Sequence, residues 1–261
     1  MQSGLYVVGT PIGNLSDMSP RACEILRGVD LIAAEDTRVF GKLAQHFDIK
    51  TKVVSCHEHN EREVVDSLVE KIQNGMAIAT VSDAGMPGIS DPGFRLVRAA
   101  REKNVPVFMV PGPTAAISAL VLSGFPTDRF TFCGFFDEKK VRDDNKIRHT
   151  IIYYESPNRV MDTIKTLASV MPERKVAIVR EITKIHEETI VGYPADLINI
   201  EPPRGEIVIV VAPAPDKKMS DDEISDIVND IVAKSTKSAA AQLAQMAGIS
   251  KKEAYKKLVN K

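Results

Sequence analysis

Apolar and polar positions along this chain switch repeatedly between a two-residue and a 3.6-residue repeat, the signatures of strand and helix. Leu5 to Gly9 is an apolar run that opens onto a Gly/Pro loop, Thr10-Pro11-Ile12-Gly13-Asn14. Ser19 then stands as an N-cap, with Pro20 at the first helical position. Leu31 to Ala34 reads as a second strand, ending in Glu35-Asp36-Thr37-Arg38. Between Glu61 and Gln73, Val64, Val65, Leu68, Val69 and Ile72 recur at helical spacing. Met76 to Val81 predicts another strand, and a turn-rich loop runs from Ser82 to Gly93. A helix is expected over Phe94 to Lys103 and a strand over Val107 to Val110, which Pro111-Gly112-Pro113 breaks before a further helix. Strands separated by helix-length segments predict an α/β class with a mainly parallel sheet covered on both faces.

The pattern lapses between Asp137 and His149, where Lys139, Lys140, Arg142, Asp143, Asp144, Lys146 and Arg148 crowd together. A second α/β unit follows, with strands expected at Ile151 to Tyr154, Val176 to Val179 and Ile207 to Val211, and helices near Asn158 to Val170 and Ala195 to Ile200. Pro213-Ala214-Pro215 reads as a linker. Beyond it the pattern is helical: Ser220-x-x-Glu223 and Ser250-x-x-Glu253 are capping-box patterns, and Gly248 sits where a helix C-cap belongs. The expected organisation is an N-terminal domain over 1–125, a connecting segment over 126–150, a second domain over 151–213 and a small helical appendage over 220–261.

At 261 residues, 44% of them apolar, the chain is large enough to bury two cores. No apolar run approaches the ~18 residues of a membrane span. The opening residues carry neither a basic stretch nor a cleavage pattern, so a cytoplasmic location is expected. Cys23, Cys56 and Cys133 form no C-x-x-C pair and fit reduced cysteines better than a disulfide or zinc framework. His57-x-His59 has no evident third ligand, and no metal is expected; contact with a substrate or hydrogen bonding within the loop is the preferred role. Lys and Arg total 34 against 35 Asp and Glu. Such a balance leans against a nucleic-acid binder unless the positive charge is local.

Three Gly/Pro loops, at Gly9 to Asn14, Ser82 to Gly93 and Pro111 to Pro113, follow predicted strand ends. Ligands of open parallel sheets bind beyond those ends, and glycines let the backbone come close. Neither G-x-G-x-x-G nor G-x-x-x-x-G-K-[ST] is present, so no pyrophosphate cradle is expected, and a ligand carrying adenosine without phosphates stays open.

Leu5 to Leu15 resembles the opening of the ribosomal-RNA 2′-O-ribose methyltransferase branch of the tetrapyrrole methylases. The resemblance continues through Ala33 to Arg38, His57-Glu58-His59-Asn60-Glu61, Ser82 to Gly93, Pro111 to Ala116, Tyr154-Glu155-Ser156-Pro157, Arg180 to Lys184, Gly205-Glu206 and Gly248 to Tyr255. It implies two α/β domains, usually paired in a homodimer, that hold S-adenosyl-L-methionine in the cleft between them. Pro11, Ser82, Asp83, Ala84, Gly85, Pro87, Thr114 and Ala115 are the implied donor contacts, with Tyr154 and the strand around Val210 to Ala212 closing the site. The implied substrate is a cytidine ribose in the decoding region of 16S rRNA in the small ribosomal subunit. Between Phe136 and Ile151 the sequence departs from the family, being shorter and interrupted by Asp143 and Asp144.

A ribose hydroxyl is a poor acid, so its methylation calls for a base or a nearby cation. Glu35, Asp36, Arg38, Glu155, Arg180, Glu181 and Lys184 are the candidates, set against plain roles as ion pairs and helix caps. Asp83 is expected near the donor and Asp91 as a residue that fixes its loop. The lysines at 251, 252, 256 and 257, and the charges from Lys139 to Arg148, are candidates for phosphate contact. Two other functions share this pattern: a methyltransferase acting on a tetrapyrrole precursor, and an inactive donor-binding factor of ribosome assembly.

Overall fold

A computed structural model describes residues 1–58, 60–215 and 236–259. Residues 1–214 form one compact unit, and residues from 215 onward form a second. The first unit is built on two five-stranded sheets.

The first sheet holds β1 (Gly4–Val8), β2 (Leu31–Ala34), β3 (Val53–Ser55), β4 (Ala77–Val81) and β5 (Val107–Val110) in the order β3-β2-β4-β1-β5, every pair parallel. Its central strands are apolar throughout because both faces are covered. Tyr6, Val8, Ile32, Ala34, Ala79 and Val81 point to one face, where α1 (Pro20–Gly28) and α2 (Thr37–His46) lie. Leu5, Val7, Leu31, Ala33 and Ile78 point to the other, against α3 (Glu61–Gln73) and α4 (Phe94–Glu102). Right-handed crossovers require this division, since connections that step one way along the sheet must use one face and those that return must use the other. The chain therefore leaves neighbouring strands β1 and β4 toward opposite faces, and the crevice between their loops is the natural ligand position.

The helix after β5, α5 (Ala115–Ser123), does not pack on the first sheet. Its Ala116, Ala119 and Leu120 are buried against Ile152, Ala177, Val179, Val208 and Val210 of the second sheet. That sheet orders β6 (Phe130–Phe135), β7 (Thr150–Glu155), β10 (Ile207–Val211), β8 (Val176–Arg180) and β9 (Glu188–Gly192) as β6-β7-β10-β8-β9. Only β6 and β7 run parallel; β10 is antiparallel to both of its neighbours, and β9 to β8. The opposite face is covered by α7 (Val160–Val170) and by the short helices α6 (Val141–Asp144) and α8 (Pro194–Leu197).

Two expected boundaries shift as a result. The 126–150 segment is not a mere connector, because it supplies edge strand β6 and helix α6. By packing, the second layer begins with α5, before residue 125, since the apolar side of that helix fits the alternate residues of β7, β8 and β10.

In the second unit, helices Thr236–Ala247 and Lys251–Val259 pair through buried Ala240, Leu243, Ala247 and Ala254. Gly248, at φ +66°, makes the turn, and the Ser250 hydroxyl accepts the Glu253 amide 3.2 Å away, as the capping pattern predicts. The other capping pattern, at Ser220 to Glu223, and the rest of 216–235 lie outside the described residues.

Arg174 is 2% exposed, and its guanidinium donates to the carbonyls of Ala212 (2.7 Å), Ile147 (2.9 Å) and His149 (2.8 Å). Burial draws its pKa down to about 10, yet it stays charged at neutral pH and closes the end of the sheet remote from the loops described below. Arg174→Met leaves three part-buried carbonyls without their charged donor, so a loss on the order of 3 kcal/mol is expected in urea unfolding. A loss below about 1 kcal/mol would show that the carbonyls find other donors.

Candidate functional site

The loops after β1, β4 and β5 converge because their strands are neighbours. Thr10 and Gly85 exchange backbone hydrogen bonds of 2.9 and 3.1 Å, a bridge that ties the first loop to the second. Gly9 and Gly112 meet backbone to backbone: a Cβ on Gly9 would lie 2.7 Å from Gly112 N, and one on Gly112 would lie 2.8 Å from the Gly9 carbonyl carbon. The Gly112 amide donates to Met86 Sδ at 3.3 Å, adding the long loop to the same knot. Gly85 at φ +74° adopts the left-handed turn that brings Ala84 and Gly85 to the cavity wall.

Between this edge and the second sheet lies a cavity of about 560 Å³. Its walls include Ile12, Ala84, Gly85, Thr114 and Ala115 from the first layer and Tyr154, Ile182 and Val208 from the second. A smaller cavity of about 330 Å³ lies beside it, lined by Pro11, Ser82, Asp83 and Lys42 among others. The two share Ile12, Ala84, Lys184 and Glu206.

Most of the candidate charges are paired. The Asp36 carboxylate accepts the Arg38 amide at 2.8 Å, capping α2, and also binds the Arg38 guanidinium at 2.7 Å. Those bonds hold Asp36 well below the usual carboxylate range. Asp83 accepts the Asp36 amide at 3.0 Å, while the Asp83 amide donates to Glu35 at 3.2 Å, so the two strand ends are cross-linked. Burial raises the Glu35 pKa, with the neighbouring Asp83 and Asp36 adding to it against the Asp83 amide. Glu155 is saturated: it accepts the Ser156 amide at 2.6 Å, the Thr163 hydroxyl and Arg159 at 2.8 Å. Arg180 donates to Glu188 at 2.8 Å and to the Arg204 carbonyl at 3.0 Å. Lys184 bridges Glu181 and Glu206 at 2.9 and 2.8 Å, with its stem packed against Gly13. The Thr183 hydroxyl donates to Asp17, a second tie between the layers.

Of the implied donor contacts, Ala84, Gly85, Thr114, Ala115 and Tyr154 line the large cavity, and Pro11, Ser82 and Asp83 the small one. Glu155, Glu181 and Lys184 also reach the large cavity. Pro87, Glu35, Asp36, Arg38 and Arg180 line neither. Val210 and Ala212 are corrected by strand direction. Because β10 is antiparallel to β7, Val208 stands opposite Tyr154 and Ile207 opposite Glu155, so the start of β10 faces the cavity. Val210 is buried under α5, and the Ala212 carbonyl is taken by Arg174.

Sequence reasoning passed over Phe135, Ile182, Ile207 and Val208, and gave Asp91 no place in the cavity it lines. It also passed over Glu61, which is 5% exposed, accepts the Gly93 amide at 3.0 Å and pairs with Arg95 at 3.4 Å, pinning the end of the long loop to α3. The His57 ring and amide are engaged by Asn60 in the turn before α3, consistent with loop hydrogen bonding; His59 lies outside the described residues. Among the described residues no cluster fits a metal ion.

Two outcomes test this geometry. Gly112→Ala drives a Cβ into the Gly9 backbone, and an overpacking cost of about 1–3 kcal/mol is expected in thermal unfolding, with weakened binding of S-adenosylhomocysteine. Unchanged stability and binding would mean that the loops separate freely. Lys184→Met tests the bridge through pH. The Glu206 amide and Lys184 hold the Glu181 pKa below 4.5, so that stabilisation is complete above 4.5 and vanishes as pH falls through the folded value. For Lys184, burial pulls the pKa down, but the bonds to Glu206 and Glu181 outweigh it and raise it above 10.5; its share is complete below 10.5 and is lost as pH rises further. The stability gap between wild type and variant should therefore be flat between those limits and close at either end, as read by urea midpoints across pH.

Comparison with known proteins gives these loops a family. Residues 4–197 match the family model described as Tetrapyrrole (Corrin/Porphyrin) Methylases. A relative from Synechocystis sp., named Ribosomal RNA small subunit methyltransferase I, is 43% identical, covering 96% of this chain and 95% of that one. Relatives of the same name from Vibrio cholerae and Escherichia coli O157:H7 are 42% and 40% identical, covering 97% and 98% of this chain and 93% and 94% of theirs. Among solved structures, a diphthine synthase superposes with a TM-score of 0.64 at 15% identity, over 85% of this chain and 93% of that one. A Thermus thermophilus uroporphyrin-III C-methyltransferase complexed with S-adenyl homocysteine does so with a TM-score of 0.56 at 19% identity, over 80% of this chain and 97% of that one. With a model match over most of its length and full-length relatives at this identity, the chain belongs to the tetrapyrrole methylase family.

Proposed function

We propose that this protein transfers the methyl group of S-adenosyl-L-methionine to the 2′-hydroxyl of a cytidine ribose in 16S rRNA of the small ribosomal subunit, acting in the cytoplasm. The observation that carries the reading is near-complete coverage, at 40–43% identity, of relatives named Ribosomal RNA small subunit methyltransferase I.

The residues present fit such a donor. A cavity of about 560 Å³ is within the range of small-ligand sites. Ile12, Ala84, Ala115, Tyr154 and Val208 offer apolar wall to an adenosine. Four carboxylates and one lysine line the cavity, an excess of negative charge that suits the positive sulfonium of this donor without any one of them having to contact it. Bound there, the donor supplies an electrophilic methyl carbon. The chain's part is to hold the acceptor oxygen about 3–3.5 Å from that carbon, in line with the bond that breaks. The two ties between the layers, Thr183 to Asp17 and Lys184 against Gly13, fix the walls that do so.

The protein works as a homodimer in this reading. Helix α5 buries one side in the second sheet, yet Ile117, Val121 and Leu122 on its other side are 45%, 67% and 40% exposed. A helix apolar all round belongs in an interior, and a second copy supplies one. The exposed Lys251, Lys252 and Lys256 of the C-terminal helix offer charge that suits contact with phosphates.

The reading is tested by supplying labelled S-adenosylmethionine to small subunits that lack the modification and mapping the labelled nucleoside. Label in 2′-O-methylcytidine of 16S RNA is expected; label in an added tetrapyrrole instead, or donor binding with no turnover, would replace it. Val121→Glu should convert dimer to monomer in sedimentation, whereas a wild type that sediments as a monomer refutes the dimer. Removal of residues 220–261 is expected to weaken subunit binding more than donor binding, and equal loss of both would count against a role for that unit in RNA contact.

A further inference from the structure

Four carboxylates line the large cavity: Asp91, Glu155, Glu181 and Glu206. Glu155 is filled by an amide, a hydroxyl and Arg159. Glu181 and Glu206 share Lys184, so the charge of each is already answered. Asp91 differs. The Ser82 hydroxyl lies beside it and also reaches the Ala84 carbonyl at 3.2 Å, and among the described residues no ion pair involves it. It lines the cavity together with Ala84, Ser90, Phe135 and Tyr154, the last two of which meet ring to ring.

The segment that carries Asp91 is held rather than loose. The Gly88 amide donates to the Pro92 carbonyl at 3.0 Å, and the Gly93 amide to buried Glu61 at 3.0 Å. Ser90, just before Asp91, is held at φ +62°, a conformation that costs a residue with a Cβ and survives only when its surroundings impose it. The loop thus keeps one carboxylate, without a cation, inside the cavity where the acceptor hydroxyl must come.

We infer that Asp91 is the proton acceptor of the transfer, taking the proton of the acceptor hydroxyl as that oxygen attacks. The inference rests on the methyl-transfer reading above. In the step, a lone pair of the hydroxyl oxygen forms the new O–CH3 bond, and the hydroxyl proton passes to the Asp91 carboxylate. The S–CH3 bond breaks with its electron pair left on sulfur, so the sulfonium becomes a neutral thioether and the carboxylate a neutral acid. Charge balances, and no other reactant is needed. The protonated Asp91 then returns its proton to solvent when product leaves.

The surroundings favour a carboxylate that accepts a proton readily. Burial, then Glu35 from the end of β2 and Asp83 from its own loop, push the Asp91 pKa up to about 6 against the Ser82 hydroxyl, which lowers it; Tyr154 faces it from β7. The basic form is the competent one, so the rate should rise with pH through about 6 and then level.

Asp91→Asn and Asp91→Glu are compared with wild type for transfer to modification-deficient subunits across pH, for S-adenosylhomocysteine affinity by calorimetry, and for thermal unfolding. A carbon-13 titration of the Asp91 carboxyl in wild type without donor gives a readout independent of activity. The expected result is a fall in kcat of about 100-fold or more in the Asn variant, with loss of the acid limb. KM for subunits and donor affinity should hold, the Glu variant should recover part of the rate, and the carboxyl midpoint should lie near 6. An Asn variant that keeps rate and acid limb overturns the assignment, as does one whose donor affinity falls in step with its rate, which makes Asp91 a donor ligand. A wild type that methylates nothing in the subunit overturns the functional reading and this inference together, before any variant is compared.

Discussion

The contact on which the site depends is the one between the backbones of Gly9 and Gly112. Strands β1 and β5 are neighbours in the sheet, so the chains leaving them begin only about 4.8 Å apart. Each must also turn away at once, one toward α1 and the other toward α5. Without side chains at either glycine the two backbones stay in contact through that divergence, and Met86 closes over them from the third loop. The Thr10–Gly85 bridge continues the same knot across β4. One rigid floor results from three connections that would otherwise move separately. The walls above it are positioned by their attachment to that floor: Pro113 and Thr114 lead from it into α5, which carries the second sheet with it through Ala116, Ala119 and Leu120.

Charge is distributed around this floor so that almost none is left unanswered. Asp36, Glu155, Glu181 and Glu206 are each met by a guanidinium, an ammonium or a set of backbone donors. Several of these pairs are exposed and contribute little to stability as isolated interactions. Their effect is geometric: Asp36 and Asp83 lock the ends of β2 and β4 together, and Lys184 holds the start of β10 to the end of β8. A net charge of -1 need not exclude a polyanionic substrate, since most carboxylates near the cavity are already paired within the fold.

How much of this was legible in the sequence follows from burial. β1, β2 and β4 are buried on both faces, which makes them continuous apolar runs, and these were read with nearly correct ends. The edge strands β3 and β9 are half-exposed, and β3 is also short, so Val53-Val54-Ser55 and Glu188 to Gly192 gave no comparable run. Helix α2 was hidden for a different reason: its cap, Asp36, sits in a run of charge that reads as chemistry. The three Gly/Pro loops were visible as candidates for a site, since turn chemistry is local. The direction of β10 was not, because pairing with β7 and β8 is a long-range choice between two registers that the same apolar run satisfies equally well. The expectation for Val210 and Ala212 failed on that point, at the opposite end of the right strand.

The same distinction applies to two acids of the site. Glu155 follows a strand and precedes a helix, which is where catalytic carboxylates and capping carboxylates alike are found; its three partners tie it to the turn and to α7. Asp91 stands in an Asp-Pro-Gly turn, where an aspartate ordinarily serves its own backbone, and the sequence gives no reason to look further. What sets its surroundings is long-range. Glu61, thirty-two positions from Gly93 in the chain, fixes the end of the turn, and the second sheet closes the cavity over the carboxyl. Local pattern therefore shows where a binding loop lies, but the assignment of work among its acids depends on which of them the rest of the fold leaves without a partner.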